Sequence, residues 1–60
     1  MKGKIKVTAM KSGKIITAEV FGDLADRETL FDRLMNRHKV LHGQRNLWKL
    51  QSVELIKKID

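Results

Sequence analysis

The sequence predicts an α+β fold: a single small domain over residues 1–60, in the order β-β-α-β, with a three-stranded antiparallel sheet and one helix packed on one face. Three observations predict this fold. Apolar and polar residues alternate along two segments that are joined by a short turn. Apolar residues then recur at helical spacing, and a last segment alternates again. A helix over one face of a small sheet would bury these apolar positions together.

The first two segments, residues 4–10 and 14–21, have the period of strands that are buried on one face. If Ser12 and Gly13 form a two-residue turn, Lys11 pairs with Lys14 and every further pair follows. A slip of one residue would send one apolar set to solvent, so the register is strongly specified. The pairs predicted on the buried face are Ala9–Ile16, Val7–Ala18 and Ile5–Val20.

A helix is predicted after the second strand. Asp26 can cap its first turn, with Asp23 as a competing cap, and Glu28 lies near the positive end of the helix dipole. We expect Gly43 to end the helix, since glycine favours the left-handed conformation found there. The predicted apolar stripe consists of Leu30, Phe31, Leu34, Met35 and His38.

The closing segment alternates in two parts, residues 48–50 and 53–59, which are out of phase by one residue. A bulge near Gln51 and Ser52 would bring both parts onto one face of a single strand. A helix would instead scatter these apolar residues around its surface. We therefore expect one long strand, antiparallel to the first strand and beside it. The uncovered face of the sheet would then carry Lys4, Lys6, Thr8, Thr17, Glu19, Lys49 and Lys58.

The composition is that of a folded, basic domain. Hydrophobic residues make up 42% of the chain, and 13 Lys and Arg against 7 Asp and Glu give a net charge of +6. The absence of cysteine excludes disulfides and thiolate zinc sites. No apolar run approaches the roughly 18 residues that cross a bilayer. We expect a cytoplasmic protein that is neither secreted nor inserted in a membrane.

No residue pattern predicts catalysis, a metal or a cofactor. His38 and His42 have the spacing of metal ligands on a helix, but basic neighbours surround them and a third ligand is missing. The acidic residues of 23–32 are explained by helix capping. Ser12 has no nearby base to activate it. We therefore predict a protein that is not an enzyme and needs no cofactor.

The distribution of charge along the chain predicts nucleic-acid binding. Residues 33–49 contain five Lys and Arg and no acid, so they could form a ridge that contacts phosphates without reading sequence. The alternative is an ordinary solvated surface. We expect Trp48 to belong to the core, because so small a core has few other large side chains. The predicted phosphate contacts are Arg33, Arg37, Lys39, Arg45 and Lys49, with Lys4 and Lys6 as a second contact face.

A different class of function is a protein-binding adaptor or inhibitor. Met10, Ile15 and Phe21 fall on the uncovered face, where exposed apolar residues often mark an interface. The basic surface would dock on an acidic protein, and the edge of the sheet could accept a further strand. The same three residues could instead bury a homodimer interface.

The order of elements resembles that of the archaeal ribosomal protein LX family. The similar features are a second strand that reads "ITAEV", a helix that ends in Arg37 and His38 before Val40, and the apolar spacing of residues 48–56 with its break in alternation. This chain has a short insertion around residues 42–44 and a diluted basic pair after the helix. The resemblance implies binding to ribosomal RNA. The same layout is similar to that of small phage proteins, among them an inhibitor of host RNA polymerase, and keeps the adaptor hypothesis open.

Overall fold

Three antiparallel strands and one α-helix form the fold in the computed structural model, which describes residues 1–59. The central strand of the sheet is the first one, because the strand order is β2-β1-β3. This confirms the predicted β-β-α-β architecture. Among residues 1–59, no helix is long and apolar enough to cross a membrane. The elements are β1 (Lys2–Lys11), β2 (Lys14–Asp23), α1 (Arg27–Arg37), a 3-10 helix (His42–Leu47) and β3 (Lys49–Lys58).

The hairpin of β1 and β2 has the predicted register. Lys11 is opposite Lys14, and the pairing continues without a break to the far end of both strands. Ser12 and Gly13 adopt positive φ angles of 46° and 83°, as a primed two-residue turn requires. On the uncovered face, the hydroxyl oxygens of Thr8 and Thr17 lie 3.3 Å apart.

β3 contains the predicted bulge. Leu50 is opposite Ala9 and Ser52 is opposite Thr8, so Gln51 is the extra residue. The bulge corrects the phase of the alternation. Leu50, Val53 and Leu55 consequently all face Ala9, Val7 and Ile5 of β1 on the covered side of the sheet.

A second bulge at Ile56 was not expected from the sequence. Leu55 is opposite Ile5 and Lys57 is opposite Lys4, which leaves Ile56 unpaired. Gly3 permits this close approach, because a Cβ there would lie 2.1 Å from the carbonyl oxygen of Lys57.

The bulge at Ile56 reverses the alternation beyond it. The expectation that Ile59 continues the apolar face of Leu55 is wrong, and 47% of Ile59 is exposed. Lys57, rather than Lys58, is opposite Lys4 on the uncovered face, since Lys58 pairs with Gly3.

The core lies between the sheet and α1. The helix packs mainly over β2 and also contacts β1. Phe31 and Trp48 are half-buried against this core, in agreement with the expectation for Trp48. His38, the last member of the predicted stripe, is exposed. The fully buried apolar residues are Ile5, Val7, Ala9, Val20, Leu30, Leu34 and Met35.

The helix begins where it was predicted. The carboxylate of Asp26 accepts hydrogen bonds from the backbone N–H of Thr29 at 3.1 Å and from its hydroxyl at 2.7 Å. This is the N-cap arrangement that satisfies an otherwise unpaired amide.

The helix ends earlier than expected, and the prediction that Gly43 stops it is wrong. Lys39 adopts a left-handed φ of 55°. The N–H of Val40 donates to the carbonyl of Met35 at 2.9 Å, and that of Lys39 donates to Asn36 at 3.1 Å. These two bonds form a Schellman motif without glycine. Packing of Val40 against the core accompanies it and supplies the apolar contact that the motif favours.

Replacement of Lys39 by glycine is expected to stabilise the fold, by roughly 1 kcal/mol, because glycine lacks the Cβ that makes the left-handed conformation costly. Thermal unfolding of Lys39→Gly should show a higher Tm than the parent chain. Lys39→Ala is the matched control, since it removes the charge but retains the Cβ. An equal gain from both variants would contradict the backbone explanation.

Candidate nucleic-acid interface

Side chains of α1 reach over the outer edge of β2. Arg33 donates to the carbonyl of Phe21. Arg37 Nη2 donates to the carbonyl of Glu19 at 3.4 Å, and His38 Nε2 lies 2.9 Å from the carbonyl oxygen of Thr17. Two of the predicted phosphate contacts, Arg33 and Arg37, are thus engaged within the chain.

Arg45 is also engaged within the chain. Its guanidinium pairs with the carboxylate of Asp32 and donates to the side-chain oxygen of Asn36 at 2.6 Å. Only 23% of the Arg45 side chain is exposed. Folding brings Asp32 to a region that lacks acids in the sequence, so the expectation of a continuous acid-free ridge is wrong.

On the second predicted contact face, Lys4 and Lys6 both lie beside carboxylates. Lys4 Nζ lies 3.0 Å from Glu19 Oε1. Lys6 is opposite Glu19 on one side and Glu54 on the other. Carboxylates therefore accompany both predicted lysines of the uncovered face, which weakens their attraction for a polyanion.

Lysines outside the ion pairs described above lie at the hairpin-turn end of the sheet. Lys11 is opposite Lys14, and Lys49 is opposite Met10. We call Lys11, Lys14 and Lys49 the turn-end cluster, in which Lys11 and Lys14 lie on the covered face of the sheet and Lys49 on the uncovered face. The fold brings together here the two long stretches that contain no acid, residues 1–18 and 33–53. Within residues 1–59, no ion pair joins a carboxylate to these three lysines.

Lys39 lies beyond the end of α1 that points toward the turn. Its neighbour His38 lies at Thr17, whereas Arg33 lies at Phe21, so the helix runs toward the turn-end cluster. The negative end of the helix dipole favours a cation at this position.

Trp48 contributes to the same end of the molecule. Lys11 Nζ lies 5.3 Å from the centroid of the Trp48 ring, a cation–π geometry. One face of the indole is therefore covered by a lysine, and the half-buried ring packs against the core. Trp48 is better placed to orient Lys11 than to stack on a base.

Sequence reasoning missed Lys11 and Lys14. The signal was present in the predicted register, which places the two like charges directly opposite each other. Such a pair is unfavourable unless an anion lies close by.

The residues described offer little to a metal ion. Among residues 1–59, no group of three or more His, Asp or Glu side chains is arranged to hold one. His38 caps α1, whereas His42 begins the 3-10 helix, so the two do not share one helix face.

Exposed apolar residues lie on the uncovered face at two places. Met10 and Ile15 are cross-strand neighbours near the turn, and they are 41% and 60% exposed. Phe21, opposite Lys4 toward the other end of the sheet, is 59% exposed. All three lie on the face where the sequence predicted them.

Two carboxylates at the far end have lowered pKa values. Hydrogen bonds from the Ala25 N–H and from the N-terminal ammonium, each 3.0 Å long, lower the pKa of Asp23 below its ordinary 3.8. The hydroxyl and amide of Thr29 lower the pKa of Asp26 in the same way. These carboxylates stabilise the junction of β2 and α1, away from the turn-end cluster.

Acid should therefore weaken the fold through Asp23 and Asp26. Because both pKa values are lower in the folded chain, their stabilisation is complete above pH 3.8 and is lost as the pH falls through the folded values. Thermal unfolding across this range should show a falling Tm. Thr29→Val removes the hydroxyl hydrogen bond that is the largest cause of the lowered Asp26 pKa. Part of the loss of stability should therefore occur at higher pH in this variant. An unchanged profile for Thr29→Val would contradict the assignment.

Comparisons of this chain with protein-family models, curated proteins and solved structures found no match.

Proposed function

We propose that the protein is a small, non-enzymatic nucleic-acid-binding module that contacts phosphates through the turn-end cluster. The observation that carries the proposal is that Lys11, Lys14 and Lys49 all lie at one end of the sheet, the first two on its covered face and the third on its uncovered face, and that none of them forms an ion pair with a carboxylate among residues 1–59. Lys39 extends the same basic end.

The arrangement has an electrostatic cost that a polyanion would relieve. Lys11 and Lys14 face each other across a tight turn, and like charges in directly opposed positions are destabilising. A phosphate between them would replace repulsion by two attractive contacts, with release of counterions from the nucleic acid.

The contacts available are those of backbone recognition. Lysine ammonium groups bind phosphate as point charges, whereas base reading usually uses the planar fork of arginine or an accessible aromatic ring. Arg33, Arg37 and Arg45 are engaged within the chain, and Lys11 covers Trp48. We therefore propose affinity that is sensitive to salt and independent of sequence. The resemblance to a ribosomal protein family favours RNA as the ligand.

Binding to mixed single- and double-stranded oligonucleotides, titrated against salt, tests the proposal. The triple variant Lys11→Ala, Lys14→Ala, Lys49→Ala should reduce the slope of log K against log salt by about 2 to 3, since each lost phosphate contact contributes roughly 0.7 to 0.9. The matched control is Lys4→Ala, Lys6→Ala, Lys57→Ala, which removes the same charge from the uncovered face.

The control variant should retain more of the affinity than the turn-end triple variant, and most of the slope of log K against log salt. Absence of binding by the parent chain at low ionic strength would contradict the proposed function. Equal losses in the two triple variants would show that net charge, rather than the turn-end cluster, determines binding.

The exposure of Ile15 and Phe21 supports the alternative function, a protein-binding adaptor or inhibitor that docks on an acidic partner. Large apolar side chains exposed on a sheet face are candidates for a protein contact. Ile15→Ser with Phe21→Ser separates the two functions. Nucleic-acid affinity should be unchanged in this variant under the first proposal, whereas binding to an acidic protein would be lost under the second.

A further inference from the structure

We infer that the outer edge of β2 is a self-complementary surface for a second copy of this chain. Arg33, Arg37 and His38 block this surface by occupying its backbone carbonyls. The three side chains bond to the carbonyls of Phe21, Glu19 and Thr17.

The blocked carbonyls are those that an added strand would need. In an antiparallel strand, the N–H and C=O of one residue point to the same side, and consecutive residues alternate in side. The carbonyls of Thr17, Glu19 and Phe21 are bonded by α1, so they point away from β1. A strand added to β2 would compete with α1 for these same acceptors.

The sequence of β2 would otherwise favour self-pairing. Residues 14–21 read "KIITAEVF", rich in β-branched and apolar residues and without proline. Such an edge strand is a template for association with another chain unless it is protected. The ladder with β1 runs through β2 without a bulge, so no kink turns this edge away.

A two-fold axis through Ala18 pairs β2 of one copy antiparallel to β2 of the other. In this pairing, the covered faces of the two sheets lie on the same side, and so do the uncovered faces. In this register, Lys14 faces Gly22 and Glu19 faces Thr17, so no like charges meet. The pairing also covers the 60% and 59% exposed side chains of Ile15 and Phe21. The apolar pairs between copies would be Ile15 with Phe21 and Ile16 with Val20.

The sequence also allows α1 to pack close enough for its side chains to reach the carbonyls at the edge of β2. A Cβ at Gly22 would lie 2.8 Å from Leu30 Cδ2 and 3.2 Å from Arg33 Nη1. Glycine at this position lets the helix pack tightly against β2, so the guanidinium of Arg33 can reach Phe21.

The opposite edge of the sheet is protected by other means. Bulges at Gln51 and Ile56 interrupt the ladder of β3, and Lys49 and Lys57 flank the regular part. Bulges and lysines are both known protections of edge strands. Only β2 has a long, regular edge that depends on side chains from another element.

Removal of the three side chains tests the inference. The full chain carrying Arg33→Ala, Arg37→Ala and His38→Ala should self-associate, with a weight-average mass that rises with concentration above that of the parent chain in sedimentation equilibrium. The matched control is Arg27→Ala, Lys39→Ala, His42→Ala, which removes the same formal charge and the same residue types nearly one for one. Its mass should follow that of the parent chain.

A proline substitution in β2 tests whether its edge is responsible for the self-association. Thr17→Pro in the triple-variant background removes an N–H that points away from β1, so β2 remains in the sheet but cannot pair further. It should return the mass to the parent value. A folded triple variant with the parent mass, or association that persists with Thr17→Pro, would overturn the inference.

Circular dichroism of each variant checks folding. If the triple variant does not fold, the single variants Arg33→Ala and His38→Ala provide the same readout with a smaller rise in mass. A parent-like mass in both folded single variants would also overturn the inference.

Discussion

Burial of the apolar face of α1 and hydrogen bonds from its C-terminal half to the edge carbonyls of β2 together place the helix on the sheet. They bring Arg33, Arg37 and His38 into line with alternate residues of β2, and Gly22 provides the close approach that this requires. The helix therefore runs along β2 toward the hairpin turn. Its buried face meets the central strand, and its basic residues are divided between the strand edge and the turn end.

Arginines of α1 and of the 3-10 helix differ from the turn-end lysines in their partners. The arginines satisfy carbonyls or pair with Asp32, where a planar guanidinium with several donors is effective. Lys11, Lys14 and Lys49 lie at the turn end, where a flexible ammonium suits contact with an anion of variable position. The chain has a net charge of +6, but its spatial distribution, more than its total, favours phosphate binding at one end.

The sequence predicted what depends on local pattern: the hairpin register, the Asp26 cap and the bulge at Gln51, since each follows from alternation or capping chemistry. It did not predict what depends on distant contacts. The helix ends at a left-handed Lys39, where Val40 packs against the core. The bulge at Ile56 lies beside Gly3, over fifty residues away in the chain. For the candidate site, Arg45 was misjudged because Asp32 approaches it only in the fold.

We propose that Arg33 and Arg37 stabilise the fold, whereas the lysines of the turn-end cluster contact nucleic acid. NMR of the side-chain signals during titration with a short oligonucleotide tests it most directly. We expect the Cε and Hε signals of Lys11, Lys14 and Lys49 to shift with added oligonucleotide, while the guanidinium signals of Arg33 and Arg37 keep their positions. Shifts at Arg33 and Arg37 without shifts at the three lysines would contradict it.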